Sequence, residues 1–146
     1  MRLIVILALL SMPAAGMAAE KGTAGLTAHD INDTRTSLKL TPRIKHRLLS
    51  NMRTQLAATR TIIGLIAAER YDKAATTARS KLAMSDDIRQ IYAASKNEEL
   101  NQLALAAQAG ADELANSLQT KDLKKSLQAL QNAMSYCVQC HMKYRQ

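Results

Sequence analysis

The cysteines and the histidine near the C-terminus offer the most specific chemistry in this chain. They form the run Cys137-Val138-Gln139-Cys140-His141, and the sequence of 146 residues contains no other cysteine. Two thiols at this spacing on a helix can each form a thioether with a vinyl group of haem, and the next residue can bind the iron through an imidazole nitrogen. The sequence therefore predicts one covalent haem c, with His141 as the proximal iron ligand.

Two other uses of the motif fit the sequence less well. A thioredoxin-like redox pair opens a helix that follows a strand, and the sequence shows no βαβ pattern. A zinc site usually has four protein ligands, and His29 and His46 are the other histidines of the chain. Haem attachment is therefore the favoured interpretation.

Residues 1–18 have the pattern of a secretory signal peptide. Arg2 precedes a short apolar run, and cleavage after Ala18 would place Gly16 and Ala18 where signal peptidase requires small side chains. The apolar run is shorter than the ~20 residues that span a bilayer, although an uncleaved anchor remains the alternative. Covalent haem attachment in bacteria takes place outside the cytoplasmic membrane, so we expect a periplasmic protein without a stable membrane span.

The charge and composition indicate a basic helical protein. The formal net charge is +8, which favours redox partner proteins with acidic docking surfaces, although the charge also serves solubility. The chain has no Phe and no Trp, and we expect no binding to nucleic acid. Ala, Leu, Lys, Arg and Gln are abundant and strand-like alternation is missing, so the predicted fold class is all-α.

A polar lead-in at 19–40, with a helical turn over 30–38, is expected before a four-helix domain at 41–146. Thr41, Asp72 and Thr120 are the expected N-caps, and Pro42 suits the first helical position. Gly110 is expected to allow close packing. The expected helices are 42–70, 73–84, a short piece at 88–94, a long helix from 95 or 97 to 118, and a last helix over 121–144.

Apolar residues at helical spacing mark the faces that we expect to be buried. The haem motif continues the apolar face of the last helix, so the haem is predicted to lie inside the bundle near the C-terminal end of that helix. On the first helix the face is Ile44, Leu48, Met52, Leu56, Ile63 and Ile66, widened by Leu49 and Ile62, and on the last helix it is Leu123, Leu127, Leu130, Met134, Cys137, His141 and Tyr144.

The ending C-x-x-C-H-x-x-Y-R, which closes with Tyr144 and Arg145, resembles that of the class II cytochromes c, the cytochrome c′ and cytochrome c-556 family. A second likeness is the stretch 63–72, whose Tyr71-Asp72 resembles the opening of the family's second helix. The likeness covers about residues 40–146 and implies an antiparallel four-helix bundle. Relatives often pair through their first two helices, so the resemblance also allows a homodimer.

The resemblance implies a second iron ligand about twenty residues before Tyr71-Asp72, and this count reaches Met52. In cytochromes c-556 a methionine there binds the iron, whereas in cytochromes c′ an apolar side chain leaves the iron five-coordinate. Taken alone, Met52 could simply fill the core. His46 is the rival ligand, but it lies about 240° round the helix from Met52, so both cannot face the iron.

The resemblance thus predicts an electron carrier with His/Met-ligated iron, and a cytochrome c′-type protein that binds nitric oxide or other diatomic gases is the alternative. We expect no enzymatic activity, because no distal catalytic base is evident. Arg47 and Arg145 are candidate contacts to the haem or its propionates, with Arg53 as a further candidate. Tyr144 is expected to pack on the haem.

Overall fold

The computed structural model describes residues 33–146, most of which are helical. The all-α class predicted from the sequence is therefore confirmed, while the predicted signal peptide lies outside the described residues. No helix within 33–146 is long and apolar enough to cross a lipid bilayer. The helices are α1 (Pro42–Ala67), α2 (Tyr71–Thr77), α3 (Asp86–Ala93), α4 (Glu98–Gln119) and α5 (Leu123–Lys143); a π-helical turn, Ala78–Leu82, follows α2, and two short strands are β1 (Thr36–Ser37) and β2 (Tyr144–Arg145).

Helices α1 and α4 begin at side chains suited to capping. Thr41 Oγ1 accepts a hydrogen bond from the amide of Ile44 at 3.5 Å, and a proline occupies the first turn of α1. Asn97 Oδ1 accepts one from the amide of Leu100 at 3.0 Å. Each cap satisfies an amide that has no carbonyl partner inside the helix, so these two starts follow from local sequence.

The start predicted for the last helix is wrong. Asp122 caps α5 by accepting a hydrogen bond from the amide of Lys125 at 2.9 Å, whereas Thr120 is the C-cap of α4. Lys121 lies between them with φ of 57°, a left-handed conformation that cannot belong to the first turn of a helix. The chain therefore turns at Lys121 and resumes its helix two residues later than predicted.

The second helix also differs from the prediction of 73–84 with Asp72 as its cap. It begins at Tyr71, which places Asp72 inside the first turn, and it is α-helical only to Thr77. The following turn is wider, because the amide of Ala83 donates to the carbonyl of Ala78 at 3.3 Å, five residues back.

The lead-in contains an extended segment where a helical turn was predicted. β1 pairs in parallel with β2, with Thr36 opposite Tyr144, and the amide of Leu38 donates to the carbonyl of Arg145 at 3.0 Å. The prediction is therefore wrong for 36–37, because pairing with the C-terminus satisfies backbone groups that an isolated turn would leave to water. The compact unit extends from Thr34 to Gln146.

The core consists of two clusters at different levels of the helices. One cluster joins the second half of α1 to α2, α4 and the first half of α5, around Ile62, Leu114 and Leu118, which are each 0% exposed. The other surrounds Leu48 and Ile88 and draws on α1, α3 and α4. Among the described residues, none from α5 belongs to this second cluster. The second half of α5 therefore contributes no residue to the cluster around Leu48 and Ile88.

The predicted apolar face of α1 is only partly buried. Leu56 and Ile63 are 71% and 48% exposed, so their prediction as core residues is wrong. Ala58 is buried although it was not predicted, and Ile62, which was predicted to widen the face, is 0% exposed, because the buried face of α1 follows its contacts with α2 and the π-helical turn. Leu48 and Ile66 are buried as predicted.

The buried face of α5 is also displaced from the predicted one. Its buried residues are Ser126, Ala129 and Leu130, of which Leu130 was predicted. The prediction of core positions is wrong for Leu123, Leu127 and Met134, which are 52%, 48% and 43% exposed. It is also wrong for Cys137 and His141, which are exposed. Two of the three buried positions of α5 are thus occupied by small side chains, whereas several of its larger side chains are exposed.

Gly110 allows α4 and α5 to approach closely, as predicted. A β-carbon at this position would lie 2.8 Å from Tyr136 Cε2, whereas one at Gly64 would meet nothing within 4 Å. We expect Gly110→Ala to lower the free energy of unfolding by about 1–2 kcal/mol, since overpacking outweighs the gain in helix propensity. Urea denaturation measures this, and Gly64→Ala is the control, with stability expected to be unchanged or raised by up to ~1 kcal/mol. Equal effects at both glycines would contradict the packing argument.

Candidate functional site

An apolar cavity of about 510 Å³ lies among α1, α4 and α5. Its volume falls within the ~300–1,000 Å³ that is typical of cofactor and ligand sites. Direct packing between α1 and α5 is slight, because both helices pack mainly on other elements. The cavity occupies the space between them, and α4 supplies a third wall with Leu100, Leu103, Ala104, Ala107 and Ala111.

The cavity brings together the four residues that the sequence singled out for haem. Met52 lines it from the middle of α1, whereas Cys137, Cys140 and His141 line it from the last turns of α5. Met52 and His141 thus reach the same cavity from different helices. The remaining lining is mostly aliphatic, and it includes Leu49, Leu56, Leu82, Met84, Leu130 and Met134.

These residues suit a haem better than a redox-active disulfide. Both thiols are free; Cys137 is exposed and Cys140 half-buried, and partial desolvation raises the pKa of each thiol, with a smaller contribution at Cys140 from the thiol of Cys137. Cysteines of disulfide oxidoreductases have a lowered pKa instead. Two thiols that could attach a porphyrin, and an imidazole and a thioether that could bind its iron, on an apolar wall are the groups that a c-type haem uses.

Tyr92 lines the cavity from α3 and was not identified from the sequence. Burial raises the pKa of its phenol to about 12, with smaller contributions from the thiols of Cys140 and Cys137. The ring is therefore neutral at physiological pH and lies near the motif. No local pattern could have identified it, because its position depends on how the short helix α3 docks.

The short strands hold both ends of the folded chain beside the motif. Arg35 Nη1 donates a hydrogen bond to the backbone carbonyl of His141 at 3.2 Å, one turn before β2. This contact joins the lead-in to the end of α5. The segment before α1 therefore contributes to the position of the predicted iron ligand, which the sequence did not indicate.

Tyr144 is buried outside the cavity lining, although the sequence predicted that it packs on the haem. Its hydroxyl donates to Glu99 Oε2 at 2.9 Å and lies 3.4 Å from Asn97 Oδ1, at the start of α4. Lys143 forms an ion pair with Glu99, and Lys143 and Tyr144 together lower the pKa of that carboxyl. Tyr144 therefore anchors the C-terminal segment to α4, while Arg145 is exposed on β2.

Arg47 also lies away from the cavity. It forms an ion pair with Asp87 and borders an open polar groove that Arg43 and His46 line as well. Arg47 and His46 are not among the residues that line the apolar cavity in the described part of the chain, whereas Arg53 is. Of the three arginines considered for the haem or its propionates, Arg53 is the one that lines the motif's cavity in the described residues.

The carboxyl group of Asp87, in α3, should make the stability of the fold depend on pH. Hydrogen bonds from Ser85 and Arg47 hold its pKa below the ordinary value of 3.8. A carboxyl with a lowered folded-state pKa stabilises the fold above its unfolded pKa, and this contribution is lost as the pH falls through the folded value. We therefore expect Asp87→Asn to be less stable than wild type near neutral pH, with the difference shrinking in acid. Urea denaturation at several pH values measures this, and a constant difference would contradict it.

Within residues 33–146, no group of three or more His, Cys, Asp or Glu side chains is arranged to hold a metal ion. The chain matches no protein-family model, no curated protein and no solved structure.

Proposed function

We propose that this chain is a periplasmic c-type cytochrome of the cytochrome c-556 type, which carries electrons through one covalent haem c. The observation that carries the proposal is the shared apolar cavity, which Met52, Cys137, Cys140 and His141 all line. In this proposal α1, α2, α4 and α5 are the helices of an antiparallel four-helix bundle. The haem would fill the space that keeps α1 and α5 apart.

Each site residue has a distinct task. Cys137 and Cys140 would hold the group through thioethers, and His141 and Met52 would bind the iron from the walls formed by α5 and α1. When bound, the haem iron exchanges one electron between its ferric and ferrous states. Neither the imidazole of His141 nor the thioether of Met52 has to leave or take up a proton during this exchange, so the protein need not rearrange.

The aliphatic lining would set the electrostatics of the site. Leu49, Leu103 and Leu130 border the cavity from three helices, and with a haem in place they would limit the access of water to it. A dry environment disfavours the more highly charged ferric state, and a sulfur ligand acts in the same direction. Both features would raise the reduction potential.

The surface charge supports docking to an acidic redox partner. Every charged residue of α1 is Lys or Arg, and its first turn contains no acidic residue. Arg53 and Arg60 of this helix are exposed on the same element that carries Met52. A basic surface beside an electron-transfer site increases the rate of encounter with a partner of opposite charge, and high salt reduces that effect.

The test is to express the full chain together with the haem-attachment machinery and to analyse the exported protein. We expect the mass of one covalent haem, a low-spin ferric spectrum and a weak long-wavelength sulfur-to-iron charge-transfer band. Protein made without that machinery is the control. Absence of added porphyrin mass would refute the haem, while a high-spin ferric spectrum would refute Met52 as a ligand and favour the gas-binding alternative.

A further inference from the structure

The last residue of the chain contacts the predicted sulfur ligand. Gln146 Nε2 donates a hydrogen bond to Met52 Sδ at 3.3 Å, across 94 positions of sequence. Gln146 is half-buried. Its Oε1 is buried and has no hydrogen-bond partner among residues 33–146, so the amide nitrogen makes the polar contact of this side chain. The contact joins the end of the chain to the middle of α1.

The backbone around Gln146 fixes this contact. β2 pairs with β1, and the carbonyl of Arg145 accepts the amide of Leu38 at 3.0 Å. Tyr144 is 6% exposed, and its hydroxyl donates to Glu99. These bonds fix Tyr144 and Arg145, the two residues directly before Gln146. Because the backbone next to Gln146 is already ordered, less conformational entropy is lost when its side chain binds the sulfur.

A hydrogen bond to a thioether lowers the electron density that the sulfur can donate to a metal. Sulfur in methionine is a weak acceptor with two lone pairs, so one pair can accept from Gln146 while the other faces the cavity. The N–H group withdraws electron density from the sulfur. Ferric iron depends on donated density more than ferrous iron does, so the bond should favour the reduced state.

We infer that Gln146 is a positioning residue that orients Met52 toward the cavity and raises the reduction potential of the site. This inference rests on the proposed function, because it requires iron bound by Met52. Gln146 acts through the sulfur of Met52 and has no other part in the electron exchange. The C-terminal residue thus tunes a ligand that belongs to the first long helix.

The experiment compares the haem-loaded wild type with Gln146→Leu and with a variant that ends at Arg145. Both variants remove the amide donor and leave the cavity lining unchanged. Only the difference in strength of this hydrogen bond between the two oxidation states counts, so we expect the one-electron equilibrium constant for reduction to fall by up to about tenfold. The sulfur-to-iron charge-transfer band should shift in both variants. Gln139→Leu is the matched control, because Gln139 is exposed on α5 and is not among the cavity-lining residues.

The outcomes separate this inference from the proposed function. A low-spin His/Met spectrum in the wild type, with a lower potential and a shifted band in both variants but not in Gln139→Leu, supports it. The same wild-type spectrum with unchanged potentials in both variants overturns the role of Gln146 and leaves the cytochrome proposal intact. Wild-type protein without covalent haem, or with high-spin iron, overturns both.

Discussion

Replacing Met52 by alanine is expected to convert the ferric spectrum of the haem-loaded protein from low-spin to high-spin. The thioether of Met52 lines the cavity from α1, and the same position in the alanine variant offers no donor atom. The sulfur-to-iron charge-transfer band should disappear completely. The open coordination position should also bind added cyanide or nitric oxide, which the wild type should take up more slowly because the sulfur of Met52 would first have to leave. Absorption spectroscopy of both oxidation states, with and without added ligand, measures these changes.

The control for this variant is Met142→Ala. Met142 directly follows His141, is 71% exposed and is not among the described residues that line the cavity. Its replacement should leave the spectrum unchanged, which shows that loss of a neighbouring sulfur is not sufficient. An unchanged spectrum in Met52→Ala would refute the ligand assignment. His46 would not then take its place without rearrangement, because it lines a different groove.

Local signals predicted the parts of the fold that local chemistry determines. Thr41 and Asn97 each cap a long helix at a point where the sequence supplies a short polar side chain before an apolar face. The boundary between α4 and α5 was misplaced, because Thr120 and Asp122 are both good caps and the left-handed Lys121 decides between them. Backbone conformation at a single lysine is not visible in the sequence.

Burial was harder to predict than helix position. A periodic apolar pattern identifies one face of the helix, but it does not show which side of that face contacts the neighbouring helix. Ile62 is fully buried while Ile63 is 48% exposed, although the sequence pattern favoured Ile63 slightly. On α5 the small residues Ser126 and Ala129 are buried, and neither was predicted to be. The predicted apolar face instead borders the cavity in its second half.

Some residues of the candidate site could be predicted from local sequence, whereas others depend on tertiary packing. The C-x-x-C-H motif is a local signal, and its three reactive residues were evident without any structure. Met52 followed from the resemblance, and the structure places it in the same cavity as the motif. The contacts of Tyr92 and Gln146 could not have been predicted, because each joins segments far apart in sequence whose positions depend on tertiary packing.

Replacing Cys137 and Cys140 together by alanine is expected to abolish covalent haem in the exported protein. No thiol would remain in the chain, since these are its two cysteines. Loss of the group should also destabilise the fold, because α1 and α5 pack little on each other and would face a cavity of about 510 Å³. The covalent haem would stay on the unfolded chain, so its stabilising effect would come from apolar burial in the cavity and from ligation by Met52, which exist only in the folded state and should contribute about 3 kcal/mol or more. Intact mass and urea denaturation measure the two effects.

Single replacements and a neighbouring residue provide the controls. Cys137→Ala and Cys140→Ala each keep one thiol, so each can retain the group through one thioether, at lower yield. Gln139→Ala lies between the two cysteines, is exposed and leaves their spacing unchanged, so it should carry haem as the wild type does. If the double variant were as stable as haem-loaded wild type, the cavity would not depend on a prosthetic group, because α1 and α5 could then close on each other without one.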